Sequence, residues 1–150
     1  MNLPMQGGKG YHLDLEPPSP PLETPAVLME KAIAVTPMGG RLRLAGTVEF
    51  SGVNRNLVAS RVQMLSAGAS EYLSGISSSR GLGQGCDLRP CTADGLPVLG
   101  WAPRLKGLLI STGGAKMGMT LGPALGQLAA EFLVEGRTSL DITSLRVDRF

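Results

Sequence analysis

Between Tyr11 and Leu15 the chain reads Tyr-His-Leu-Asp-Leu, and this alternation of apolar and polar residues predicts a half-buried β-strand. Just before it, Gly7 to Tyr11 (Gly-Gly-Lys-Gly-Tyr) makes only a weak phosphate loop because no helix follows, so it is expected to be a flexible lead-in. The proline-rich stretch Pro17 to Pro25 predicts a stiff surface connection. Two extended runs come next, Val27 to Thr36 and Arg41 to Phe50. They flank Pro37-Met38-Gly39-Gly40, a turn signal, and together predict an antiparallel hairpin.

The period then changes. Val58, Val62, Leu65, Ala69 and Leu73 recur every three or four residues, one face of a helix, with Asn54 as the expected N-cap. Ser74 to Gly85, rich in Ser and Gly, reads as a loop, and Cys86 to Gly100 as short extended pieces with turns at Arg89-Pro90 and Asp94-Gly95. Leu108 to Ser111 has the look of a buried central strand and runs into Thr112-Gly113-Gly114. A helix is expected over 118–135, with Pro123 in its first turn, Gly136 just past its end and Leu121, Leu125, Leu128 and Phe132 as its buried stripe. Asp141 to Phe150 reads as a polar tail with room for one short strand. No internal repeat is visible. The expected fold class is α/β in the broad sense (α+β): an antiparallel sheet portion, then strand, glycine turn and helix.

With 43% hydrophobic and 17% charged residues the chain is globular rather than disordered. A net charge of +2, with scattered Lys and Arg and few aromatics, argues against a nucleic-acid partner. Cys86, Cys91 and the single histidine, His12, are too few for a zinc site, so no metal is expected and the cysteines read as reduced thiols. The first ten residues lack an apolar leader, and no run reaches the ~20 apolar residues of a membrane span. The expectation is a cytoplasmic protein without a transmembrane segment, or at most one peripheral to the inner membrane.

Two segments could carry chemistry. In Leu108 to Thr120 an apolar strand feeds a glycine turn that opens a helix, where free N–H groups and the helix dipole attract negative charge. Gly113, Gly114 and Gly118 would let a flat ring or an anion lie against the backbone; the alternative is a simple packing turn. In Leu88 to Gly100, Arg89 lies between Leu88 and Pro90, which predicts partial burial and hence an anionic partner. That partner is either a protein carboxylate or a substrate carboxylate. Asp94-Gly95 reads as a turn closed by an Asx contact. No Ser/His/Asp triad can be assembled around His12.

Five segments, in order, resemble the FAD-dependent D-amino-acid oxidase/dehydrogenase superfamily, including its glycine oxidase-like members. They are Gly8-Lys9-Gly10-Tyr11; Arg41 to Glu49 (Arg-Leu-Arg-Leu-Ala-Gly-Thr-Val-Glu); Leu88-Arg89-Pro90 with Thr92 and Asp94 to Gly100; Thr112-Gly113-Gly114 to Gly118 with Leu121 to Gly126; and Asp148-Arg149-Phe150. The resemblance implies FAD as cofactor and a small amino acid as substrate. It implies hydride transfer from the amino-acid α-carbon to the flavin, giving a keto acid and ammonia. Arg89 would pair with the substrate carboxylate, with Lys116 a second candidate near substrate and flavin. The backbone of Gly113, Gly114, Ala115, Lys116, Met117, Gly118, Met119 and Thr120 would lie against the flavin. Residues 1–85 would be part of a substrate-binding domain and 86–150 the C-terminal part of an FAD-binding domain.

The sequence also departs from that family. Gly114 stands at the common His position, Ala93 at a Pro position, and Ile33 where glycine oxidase-like members place a tyrosine. There is no GxGxxG after a first strand, so the N-terminal Rossmann segment that binds the ADP end of FAD is expected to be missing. Such a chain is expected to be a fragment, or half of a split enzyme needing a partner chain, and inactive alone. The face of strand 108–111 and the stripe of helix 118–135 would then be left exposed. A reading from another class is a non-catalytic binding module.

Overall fold

A computed structural model describes residues 2–150. Its elements are β1 (Met5–Leu15), β2 (Ala26–Leu28), β3 (Ile33–Met38), β4 (Arg41–Glu49), α1 (Ala59–Ser70), β5 (Gly81–Thr92), β6 (Val98–Trp101), β7 (Leu109–Thr112) and α2 (Gly118–Val134). Single 3-10 turns occur at Met29–Lys31, Ile76–Ser78, Ala115–Met117 and Thr143–Leu145. Five strands form one sheet in the order β2-β3-β4-β1-β5, and β6 and β7 form a two-stranded sheet. The fold is the mixed α/β arrangement expected, with an antiparallel sheet and two helices. The chain divides into two compact units, residues 9–88 and residues 2–8 with 89–150.

The unit over residues 9–88 is built on the β3–β4 hairpin. Met38 pairs with Arg41, leaving Gly39 and Gly40 as a two-residue loop with φ of +47° and +83°. Two positive φ angles in succession match the twist of the flanking strands and exclude most side chains. Because the side-chain period of a strand is two, Ile33, Val35, Leu42 and Leu44 all fall on one face and are buried. Helix α1 covers that face with Val62, Leu65 and Ala69. The helix starts later than expected: Val58 is its N-cap, without a side-chain hydrogen bond, and Leu73 lies beyond its end. Asn54 does not cap it. Its Oδ1 instead accepts from Lys9 Nζ at 3.0 Å and from the Asn56 N–H at 3.1 Å.

The segment expected to be a flexible lead-in is part of β1, and Gly8, Lys9 and Gly10 are buried. A β-bulge explains how the strand accommodates it. Gly10 pairs with Val48 but Tyr11 pairs with Gly46, so Thr47 is the extra residue, at φ +53°. On either side of the bulge Lys9 and Tyr11 both reach Glu49. Lys9 Nζ lies 3.1 Å from Oε1, and the Tyr11 hydroxyl donates to Oε2 at 2.6 Å. A lysine that is 1% exposed is tolerated only when its donors are met, and Asn54 Oδ1, the Asn56 carbonyl and Glu49 meet them.

Three other expectations are corrected. Arg89-Pro90 is not a turn: it lies inside β5, a twelve-residue strand that begins in the stretch read as a loop. β5 stands at the end of its sheet, where a residue without an N–H is tolerated. The C-terminal tail forms no strand but buries Ile142 and Val147 around a 3-10 turn. β7 is a half-buried strand paired with β6 alone, not a buried central one, because Ser111 is exposed and only Leu109, Ile110 and Thr112 are partly covered.

Hydrogen bonds from Ser51, Tyr11 and Lys9 hold the Glu49 carboxyl down from 4.5 to about 2. A depressed carboxyl stabilises the fold above its unfolded value and loses that contribution as the pH falls through the folded one. Urea unfolding of Glu49→Gln and the unaltered chain should therefore differ most near neutral pH. The difference should shrink between about pH 4.5 and pH 2; a pH-independent difference contradicts this network.

Candidate functional site

In the unit formed by residues 2–8 and 89–150, β6 and β7 pair with Val98 opposite Thr112 and Trp101 opposite Leu109. The chain leaves β7 into Gly113 at φ +80°, passes Gly114, and takes Ala115 at φ +42°. The 3-10 turn Ala115–Met117 follows, closed by the Met117 N–H donating to the Gly114 carbonyl at 2.8 Å, and leads into α2 at Gly118. At the head of such a turn the N–H groups of Ala115 and Lys116 have no carbonyl within the turn to donate to.

Two of these glycines are fixed by close approach. A Cβ on Gly113 would lie 2.7 Å from Thr92 Cγ2 and 3.4 Å from the Leu96 carbonyl oxygen. A Cβ on Gly114 would lie 2.7 Å from Gly118 Cα, so the turn folds back on the first residue of α2. That contact gives a physical reason for glycine at a position where the resembled family commonly carries histidine.

Alongside lies an open groove of about 370 Å³, lined by Pro90, by Ser111 to Ala115, and by Gly118, Gly122, Leu125 and Gly126 of α2. Gly118, Gly122 and Gly126 recur every four residues and leave one stripe of the helix without side chains. A Cβ at any of the three would meet nothing within 4 Å. Glycine inside a helix costs about 0.5–1 kcal/mol relative to alanine, and at Gly122 and Gly126 no close contact among the described residues accounts for that cost. Gly122, Gly126 and Pro90 were not singled out as site residues from the sequence, although the four-residue glycine spacing was there to read.

The expected stretch divides here. Gly113, Gly114, Ala115 and Gly118 line the groove, whereas Lys116, Met117, Met119 and Thr120 are exposed and do not. Pro123 is the sixth residue of α2, not in its first turn, so it removes an N–H from inside the helix. Of the expected stripe only Leu128 is fully buried. It packs with Leu99 and Ile142 while Leu125 and Phe132 lean on the same cluster, so these three are covered within their own unit, whereas Leu121 is half-buried outside it.

Arg89 is half-buried, and its Nη1 is buried without a hydrogen-bond partner. No carboxylate among the described residues pairs with its guanidinium. Of the two partners considered from the sequence, a protein carboxylate is therefore not found among the described residues. Arg89 does not itself line the groove; its neighbour Pro90 does, and a residue preceding proline is held extended. The Asp94 turn is closed as expected, with the Leu96 N–H donating to Asp94 Oδ1 at 3.1 Å.

A larger depression of about 430 Å³, near Trp101 and Phe132, contains none of these residues. Its acids are occupied, Asp141 by Thr143 and Asp148 by Arg146. Cys86 and Cys91 are free thiols, and among the described residues no group of three His, Cys, Asp or Glu could hold a metal. Among the described residues no helix is long and apolar enough to cross a membrane.

A strand leads into a glycine turn that abuts a bare helix stripe and leaves backbone open to the groove. The family described as FAD dependent oxidoreductase matches residues 1–132, and the chain belongs to that family. A D-amino acid dehydrogenase of Agrobacterium fabrum is 26% identical over the whole chain, which covers 36% of that protein. One of Allorhizobium ampelinum is 30% identical with the same coverage. Among solved structures, glycine oxidase from Geobacillus kaustophilus superposes with a TM-score of 0.91 at 27% identity, covering all of this chain and 40% of its own. The chain thus spans just over a third of the length of these relatives.

Gly114→Ala should lower stability by about 1–3 kcal/mol, because the methyl group meets backbone that cannot retreat. Gly126→Ala should be neutral or slightly stabilising, since its methyl group enters open space. Denaturant midpoints of the two variants test this; equal effects would mean that the Gly114–Gly118 approach is not rigid.

Proposed function

We propose that this chain supplies the substrate-carboxylate arginine and part of the flavin cradle of an FAD-dependent oxidoreductase acting on a D-amino acid. The observation that carries the reading is Arg89 Nη1, shut away from water with no acceptor among the described residues. A buried guanidinium nitrogen is costly unless an anion completes it, and an amino-acid carboxylate matches its planar fork. The substrate class follows from the D-amino acid dehydrogenase and glycine oxidase that the chain resembles.

In this reading Arg89 binds and orients the substrate through its carboxylate, so that the α-carbon hydrogen meets the acceptor in a productive geometry. Gly113, Gly114, Ala115 and Gly118 let a flat ring lie against the backbone, and the Ala115 N–H, with no carbonyl partner in its own turn, offers it partial positive charge. FAD, when bound, supplies the two-electron acceptor for hydride from the α-carbon. As the C–H bond breaks, the amine nitrogen forms the C=N bond and gives up a proton; water then replaces the nitrogen, leaving a keto acid and ammonia. Lys116, exposed beside the turn, is the second candidate for an electrostatic role. Residues 1–85 are assigned to the substrate-binding domain and 86–150 to the C-terminal part of the FAD-binding domain. Contacts to the ADP end of FAD are placed on further protein, in the same polypeptide or on a partner chain. The alternative is a non-catalytic module that binds an anion or a partner protein; no observation favours it over the enzymatic reading.

The test is to produce the chain together with the ADP-binding segment of the Agrobacterium fabrum relative, load FAD, and mix with D-alanine without oxygen. The visible flavin absorbance should bleach. Arg89→Ala should raise the half-saturating D-alanine concentration about 10- to 100-fold, with partial recovery in Arg89→Lys. An assembly that retains no flavin contradicts the cradle, and an Arg89→Ala variant with unchanged saturation contradicts the carboxylate role.

A further inference from the structure

The residue before the C-terminus reaches back 55 positions along the chain. Arg149 Nε donates to Asp94 Oδ2 at 2.7 Å and Nη2 to Asp94 Oδ1 at 3.0 Å, a two-pronged fork on one carboxylate. The same Nη2 donates to the Leu96 carbonyl at 2.9 Å, and Nη1 to the Arg146 carbonyl at 3.1 Å. The Phe150 ring lies 4.5 Å from the guanidinium carbon. The Arg149 side chain is only 12% exposed, so this pair is screened less than an ordinary surface ion pair.

Leu96 is held at both of its backbone polar groups. Its N–H donates to Asp94 Oδ1, and its carbonyl accepts from Arg149 and from the Thr92 hydroxyl at 2.8 Å. That carbonyl is also the atom 3.4 Å from where a Gly113 Cβ would lie, and Pro97 Cα is 3.5 Å from the same point. A single residue therefore separates the Arg149 guanidinium from the first glycine of the cradle. We infer that Arg149 is a positioning residue: through Asp94 and Leu96 it fixes the 93–97 turn against Gly113 and so sets the shape of the Gly113–Gly118 turn.

Holding down the tail does not require this contact. Ile142 and Val147 are already buried, and the neighbouring Arg146–Asp148 pair is local and exposed at both ends. What Arg149 adds is a tie between the end of the chain and the wall of the groove. That the groove receives flavin rests on the function proposed above; the mechanical tie does not.

Amide hydrogen exchange on the flavin-free chain separates the two. Arg149→Ala should speed exchange about 10-fold or more in peptides covering 93–97 and 113–118, and leave α1 and the β3–β4 hairpin unchanged. Asp94→Asn keeps the side-chain shape and should do the same in a chain less at risk of misfolding. Arg149→Lys should recover part of the protection, and Arg146→Ala should change neither segment. Acceleration confined to 93–97, or spread evenly over the whole chain, overturns the inference. In the FAD-loaded assembly, Arg149→Ala should raise the FAD dissociation constant about 10-fold and shift the visible flavin band, whereas Arg146→Ala should not. An unchanged constant and band overturn the positioning role. If the unaltered assembly holds no FAD, the proposed function fails, and the exchange result still decides the tie.

Discussion

A guanidinium nitrogen removed from water must find an acceptor or raise the free energy of the folded chain, and Arg89 Nη1 finds none among the described residues. The features around it make sense as consequences. Arg89 sits on a strand at the end of its sheet, where Pro90 can follow without breaking a ladder of hydrogen bonds. Pro90 in turn holds the Arg89 backbone extended and contributes to the groove wall. Arg89 is thus an unpartnered positive charge on β5, and the groove that Pro90 helps to line is a surface with few side chains.

That surface is kept open at some expense. Gly122 and Gly126 weaken a helix that alanine would strengthen, and Gly114 closes on Gly118 in a contact no side chain could share. The turn between β7 and α2 is short, strained at Ala115 and supported from outside by the 93–97 turn. Elsewhere in the chain the demands differ. The Lys9–Tyr11–Glu49 cluster serves the bulged β1–β4 pair, where a buried ammonium is tolerated only because the partner strand and the 51–56 segment meet all its donors.

The elements with a clear period were legible in the sequence. The hairpin around Gly39-Gly40, the Val62-Leu65-Ala69 face of α1 and the helix ending before Gly136 follow directly from spacing and turn chemistry. Features that depend on distant partners were not. Lys9 and its flanking glycines look like a loop until Glu49 and Asn54, some 40 positions away, arrive to satisfy the lysine. Asn54 looks like a cap until the helix is seen to start at Ala59. Arg89-Pro90 looks like a turn because proline usually marks one, and only the pairing order of the sheet shows that the strand continues. Arg89 and Gly113, Gly114 and Gly118 were named from sequence on their residue type. The Gly122 and Gly126 stripe is masked in the sequence by the apolar period of Leu121, Leu125, Leu128 and Phe132 on the same helix.

The central claim is that Arg89 waits for a carboxylate beside bound flavin. It is tested most directly by adding a carboxylate that cannot be oxidised, such as propionate, to the FAD-loaded protein and recording the visible spectrum. The account predicts a saturable shift of the flavin band in the unaltered protein and its loss in Arg89→Ala. The same shift in both proteins, or no shift in either, would contradict it.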